Sequence, residues 1–75
     1  QDARLWASVL APGESIEYRL QNGRLGYVQV IYGQLEINGK NANAGDGVKI
    51  ADETDLRFLA SEEAEFLLFD LPPLA

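Results

Sequence analysis

The chain has 75 residues, room for one domain near the lower size limit for a self-sufficient core, because a chain this short buries only about 60 % of its unfolded surface. Hydrophobic residues make up 47 % of it, too many for disorder, and no apolar stretch approaches the roughly 20 residues of a membrane helix, so a soluble folded unit is expected. Twelve acidic against six basic residues give a formal net charge of -6, which argues against nucleic acid and anionic membrane as partners, and zero cysteines exclude disulfide scaffolds, Cys-based zinc sites and thiol catalysis.

The first predicted strand is the apolar run Arg4 to Leu10, closed by Ala11-Pro12-Gly13, which supplies a fixed φ and then a permissive one. Glu14 to Leu20 alternates, with Ile16, Tyr18 and Leu20 on one face and Glu17 and Arg19 on the other, the period of a half-buried strand. Gln21-Asn22-Gly23 breaks that pattern. Leu25 to Tyr32 is β-branched and aromatic, Gly33 punctuates it, and Gln34 to Ile37 alternates again. Asn38-Gly39 is a strong hairpin signal, since both central residues of a type I′ turn need positive φ. Ala44-Gly45-Asp46-Gly47 forms a corner before Val48 to Ile50, and residues 52–55 read as an acidic loop. Asp55 to Ala60 and Ala64 to Leu71 complete the set, joined by Ser61-Glu62-Glu63, and Pro72-Pro73 ends the last strand. About seven short strands with frequent turns and no convincing helix predict an all-β fold, a small antiparallel sandwich or barrel.

Two strands do not alternate. Leu5-Trp6-Ala7-Ser8-Val9-Leu10 and Phe66-Leu67-Leu68-Phe69 place apolar groups on both faces, which an antiparallel sheet of a solvated domain does not need. Either both faces are covered within the fold, or the outer face meets another domain or chain; the second reading puts an interface through Leu5, Trp6, Phe66, Leu68, Phe69 and Leu71, with Trp6 as an anchor. Core packing is the default for the aromatic residues, but an apolar cavity oriented by the hydroxyls of Tyr18, Tyr27 and Tyr32 is a second possibility. Asp46, Asp52, Glu53 and Asp55 do not match a calcium loop and read as a solvated acidic rim. Glu62-Glu63 reads as a charged hairpin tip rather than an acid and base pair. With zero histidines, a serine nucleophile would have only Lys40 or Lys49 as a base, and Gly23-x-x-Gly26 lacks the helix of a phosphate loop. Position 1 is not methionine, so a piece of a longer chain is expected.

Gly33-Gln34-Leu35-Glu36-Ile37-Asn38-Gly39 followed by Ala44-Gly45-Asp46-Gly47-Val48 resembles the middle of a cupin. Together with Gln1-Asp2-Ala3-Arg4-Leu5-Trp6-Ala7, Gly23-Arg24, Tyr27-Val28-Gln29-Val30 and Glu65-Phe66-Leu67-Leu68-Phe69-Asp70-Leu71, it is similar to the C-terminal domain of bacterial pirin-like proteins, the group that includes quercetin 2,3-dioxygenases. The resemblance implies a cupin-type jelly roll over residues 1–75, the C-terminal half of a bicupin. Its partner would be an N-terminal cupin holding a divalent metal with three histidines and a glutamate. Carrying the first cupin motif back from Gly33 puts its glutamate at Gly26 and its histidines at Leu20 and Asn22, or at Arg19 and Gln21. The second motif's histidine falls at Val48, and Asn43 stands where a proline is usual. None of these positions offers the imidazole and carboxylate set that would hold a transition metal, so no metal-ligating, cofactor-binding or catalytic residue is assigned and no cofactor is expected. The implied function is a metal-free, non-catalytic structural and association module, cytoplasmic and dimeric as a fragment. The alternative is a barrel that binds a flavonoid-like aromatic, with dioxygenase activity only in the full-length parent.

Overall fold

The computed structural model describes residues 3–73. Eight strands follow in chain order: β1 (Arg4–Leu10), β2 (Ser15–Arg19), β3 (Leu25–Tyr32), β4 (Gln34–Ile37), β5 (Lys40–Asn43), β6 (Gly47–Ile50), β7 (Asp55–Ala60) and β8 (Ala64–Leu71). They form two four-stranded antiparallel sheets, β1-β8-β3-β6 and β2-β7-β4-β5. Only β4 and β5 are joined as a hairpin. Every other connection carries the chain from one sheet to the other, the winding of a jelly roll.

The β4–β5 hairpin turns on Asn38 and Gly39, with φ of 50° and 86°, as the Asn-Gly pair requires. Asn38 also fixes the neighbouring strand. Its Oδ1 accepts from the Arg57 backbone N–H at 2.7 Å, and its Nδ2 donates to the Asp55 carbonyl at 3.1 Å. The return strand β5 is the element that the expected set lacks, because Lys40-Asn41-Ala42-Asn43 has a single apolar residue, Ala42, and that residue alone faces the core. Ser61-Glu62-Glu63, expected as a hairpin tip, is instead a crossover between β7 and β8, which lie in different sheets.

The inner faces of both sheets meet in one core. Phe58 of β7 and Phe66 of β8 stack across the sandwich with ring centroids 4.9 Å apart, and Val28, Val30, Leu35 and Leu56 close around them with almost no exposure. A bulge at Ile31 lets β3 bend out of its sheet toward β4. Gly33 completes that bend at φ 81°, with its Cα so near the β7–β8 crossover that a Cβ would lie 2.0 Å from the Glu63 carbonyl oxygen. Only glycine satisfies both demands. Among the described residues no helix is long and apolar enough to cross a membrane.

Candidate functional site

The interior rows of the first sheet are fixed by its register. One row runs Arg4, Asp70, Gly26, Ile50, and the next runs Trp6, Leu68, Val28, Val48. Of the positions aligned with a cupin metal set, Leu20, Gly26 and Val48 are filled with hydrocarbon or nothing. Leu20 is fully buried, and a Cβ built on Gly26 would lie 3.5 Å from its Cδ2 and 3.4 Å from Ile50 Cβ; Val48 packs against the same core. Asn22 lies in the β2–β3 turn and is exposed. Among the described residues no three of His, Cys, Asp and Glu gather closely enough to hold a metal ion. Leu20, Gly26 and Val48 do not fit a transition metal, because hydrocarbon offers no lone pair, and Asn22 stands apart from them in the exposed turn.

The polar chemistry inside the barrel is a different set. Asp70 is 2 % exposed and Arg24 8 %. Arg24 Nε donates to Asp70 Oδ1 at 2.5 Å, and its Nη2 donates to the Asp70 carbonyl at 3.1 Å. The other carboxylate oxygen, Oδ2, accepts from the Tyr18 hydroxyl. The Tyr18 oxygen accepts in turn from Trp6 Nε1 at 3.3 Å, with the two rings edge to face at 6.1 Å. Burial, helped by the bond to Asp70, raises the Tyr18 phenol above its ordinary value of 10.0, so it stays protonated and a donor. The network ties β1, β2, β8 and the β2–β3 turn together across both sheets, and no buried side-chain polar atom among the described residues lacks a partner. Its arrangement is a clamp: the tyrosine is held protonated, and the carboxylate accepts from both Arg24 and Tyr18.

Sequence reasoning did not single out Arg24 and Asp70 for this role. A signal was present: Asp70 continues the alternation of Phe66 and Leu68, and a charge at a core-facing position needs a partner.

The expected interface residues separate onto two faces. Leu5, Phe69 and Leu71 point outward, together with Ala7, Val9 and Leu67. Trp6, Phe66 and Leu68 point inward; Phe66 and Leu68 are buried in the core, while Trp6 remains half exposed at the open side between β1 and β2. There a crevice of about 120 Å³ opens beside Trp6, Ser8, Ile16 and Tyr18, floored by Phe58 and Phe66. The three tyrosines are not brought together. Tyr18 faces inward, Tyr27 lies on the outer face against Phe69 with centroids 6.1 Å apart, and Tyr32 is exposed beyond the bulge. The acidic residues serve the turns. Asp46 Oδ2 accepts from the Asn43 N–H at 2.8 Å, the turn role the resemblance implies, and Asp55 meets Arg19 at 3.1 Å in full solvent.

The chain matches the family described as quercetinase C-terminal cupin domain over residues 1–71. It is 36 % identical over 74 residues to a quercetin 2,3-dioxygenase of Escherichia coli K12, covering 99 % of this chain and 32 % of that protein. It is 41 % identical over 69 residues to a pirin-like protein of Caulobacter vibrioides, covering 92 % of this chain and 30 % of that protein. The chain thus spans about a third of the length of these relatives. Among solved structures, the E. coli bacterial pirin YhhW in complex with nickel(II) superposes with a TM-score of 0.95 at 36 % identity over 99 % of this chain and 32 % of that one. A quercetin 2,3-dioxygenase of Acinetobacter baumannii shares the fold at a TM-score of 0.84 and 18 % identity, over 95 % of this chain and 25 % of that one. With the jelly roll, the hairpin glycines and the profile match in agreement, the chain belongs to the quercetinase C-terminal cupin domain family.

Proposed function

We propose that this domain is the metal-free, non-catalytic C-terminal cupin of a cytoplasmic pirin- or quercetin 2,3-dioxygenase-like protein, and that it serves as a structural and association module for a metal-binding N-terminal cupin in the same polypeptide. The carrying observation is the filled interior: Leu20 and Ile50 occupy the space beside Gly26, where a cupin keeps its metal ligands. Oxygen chemistry on a flavonol in this family needs the metal as template and electron conduit, so the dioxygenase role falls to the other domain.

The second reading, a barrel that takes a flavonoid-like aromatic, finds less support. A crevice of about 120 Å³ is well below the roughly 300 Å³ at which small-molecule pockets begin, and the tyrosines that would orient a ligand lie on different faces.

The test is elemental analysis of the purified chain after exposure to nickel(II), iron(II) and manganese(II), beside its mass in solution and a quercetin titration followed by Trp6 fluorescence. The expected result is no stoichiometric transition metal, no saturable fluorescence change, and pairing with a second copy at millimolar protein. One bound metal per chain would reopen the enzymatic reading. A saturable response to quercetin would favour the ligand-binding barrel, and a monomer by sedimentation at that concentration would count against the association role.

A further inference from the structure

The chain holds four asparagines, and two of them, Asn22 and Asn38, precede a glycine. An asparagine in that position is open to attack by its own backbone: the next residue has no side chain to shield its nitrogen, and that nitrogen closes a five-membered ring on the asparagine Cγ. The fold treats the two pairs differently.

Asn38 is committed. Its Oδ1 accepts from the Arg57 N–H at 2.7 Å, and its Nδ2 donates to the Asp55 carbonyl at 3.1 Å and to Glu53 Oε2 at 3.3 Å. Ring closure on Gly39 would expel the Nδ2 that holds Asp55 and pull Oδ1 away from Arg57. Asn22 carries no such ties. It is exposed, and its side chain has no hydrogen bond to any described residue. Its turn is closed by the Arg24 N–H on the Gln21 carbonyl at 3.0 Å, with Gly23 at φ 87°, and a Cβ at Gly23 would meet nothing within 4 Å. Asn41 and Asn43 precede alanine and lie in β5, paired to β4. At Asp46-Gly47 a carboxylate is a poorer electrophile than an amide, and its Oδ2 already accepts from the Asn43 N–H at 2.8 Å.

We infer that Asn22 is a self-modification site: it deamidates through a succinimide in the folded domain while Asn38 is protected, and the isoaspartate it leaves loosens the buried Arg24–Asp70 pair. The Gly23 nitrogen gives its proton to a solvent base and bonds to Asn22 Cγ; the Cγ–Nδ2 bond breaks, and the nitrogen departs with a proton as ammonia. Water then opens the ring. Breaking the new Cγ–N bond gives aspartate, whereas breaking the original peptide C–N bond gives isoaspartate, in which the main chain runs through Cβ and Cγ and is one atom longer. Residues 21–23 are exposed and span two fixed points, Leu20, fully buried, and Arg24, 8 % exposed. The extra atom has to be taken up between them, at the expense of the turn bond to Arg24 and of the seat of its guanidinium on Asp70.

The experiment holds the purified chain in warm, mildly alkaline buffer, with a parallel sample in urea. Each Asn-Gly peptide is followed by mass spectrometry after digestion, and a protein isoaspartate methyltransferase serves as the probe for isoaspartate. In urea both sites are expected to convert at comparable rates. In the folded chain Asn22 should keep converting while Asn38 falls behind it by about 30-fold, the factor for breaking two hydrogen bonds of ordinary strength together. Asn22→Gln should abolish the methyl-accepting signal of the folded chain. The isoaspartyl form, separated by ion exchange, should unfold at a urea midpoint lower by about 1 M, as the loss of one turn bond implies; Asn22→Asp, with the same charge on an ordinary main chain, should keep the wild-type midpoint. Equal conversion of Asn38 and Asn22 in the folded chain, or none at Asn22, would overturn the assignment. An isoaspartyl form as stable as the wild type, or an Asn22→Asp variant that falls as far, would overturn the coupling to the Arg24–Asp70 pair.

Discussion

Replacing Asp70 with alanine should be among the most destabilising single changes outside the apolar core. The carboxylate is 2 % exposed and takes its strongest bond from a guanidinium that is 8 % exposed. Removing it takes from the buried Arg24 guanidinium the carboxylate that holds it at 2.5 Å, and breaking a buried pair from one side costs about 3–5 kcal/mol. The Tyr18 hydroxyl loses its acceptor too, but it is only half-buried and water can reach it, so its share is expected to stay below about 1 kcal/mol. A 75-residue domain at roughly 0.05–0.15 kcal/mol per residue has a total stability of about 4–11 kcal/mol. The substitution therefore removes about a quarter of that or more. In urea, with a slope near 1 kcal/mol per molar for a chain this small, the midpoint should fall by roughly 3 M, measured by far-UV circular dichroism and by fluorescence of Trp6, the single tryptophan. Arg24→Met/Asp70→Leu is expected to recover most of the loss, because replacing both members of a buried pair with apolar groups of similar volume is often neutral or better. A loss under about 1 kcal/mol for Asp70→Ala would refute the account. So would a double variant as unstable as the single one, since the cost would then lie in packing and not in the broken pair.

Gly33→Ala should abolish folding or cost more than about 4 kcal/mol, the range reserved for severe lesions, because the added carbon would sit 2.0 Å from the Glu63 carbonyl oxygen at a φ of 81°; a melting temperature near wild type would contradict this. Asn38→Ala loses two side-chain bonds to β7 and its tolerance of φ 50°, about 2 kcal/mol together, which in a domain of this size lowers the melting temperature by roughly 10 °C. For Tyr18 the folded-state pKa lies above the unfolded one, so the native state binds the proton more tightly. Its contribution is complete below about pH 10, the unfolded value, and is lost as pH rises through the higher folded value. Tyr18→Phe should remove that alkaline slope, and an identical fall in stability above pH 10 in wild type and variant would show that Tyr18 is not its source.

Strand positions were legible where side chains alternate or run apolar. β1, β3, β4, β7 and β8 lie where the residue pattern puts them, and the Asn38-Gly39 turn takes the geometry its residues demand. β5 was not legible, because a strand held by pairing to β4 on one side only, with one buried side chain, carries no hydrophobic signature. Which sheet each strand joins was equally hidden. The Ser61-Glu62-Glu63 link has hairpin composition, and only the strand pairing reveals that the chain crosses between sheets there. Of the candidate site, composition shows only that histidine and cysteine are missing. The clamp could not be read there, since Arg24 and Asp70 are 46 residues apart in the chain and meet only once β8 lies beside β3. The doubly apolar strands β1 and β8 were recognised, but the assignment of Trp6, Phe66 and Leu68 to the same surface as Leu5, Phe69 and Leu71 ignored the pleat, which sends neighbours to opposite sides.

The cation that balances Asp70 is a side chain of the protein itself. It arrives with translation, cannot be stripped by a chelator or displaced by a competing ion, and does not change oxidation state. A barrel whose internal charge is neutralised by a metal folds at the mercy of metal supply; the neutralisation of Asp70 by Arg24 makes no such demand.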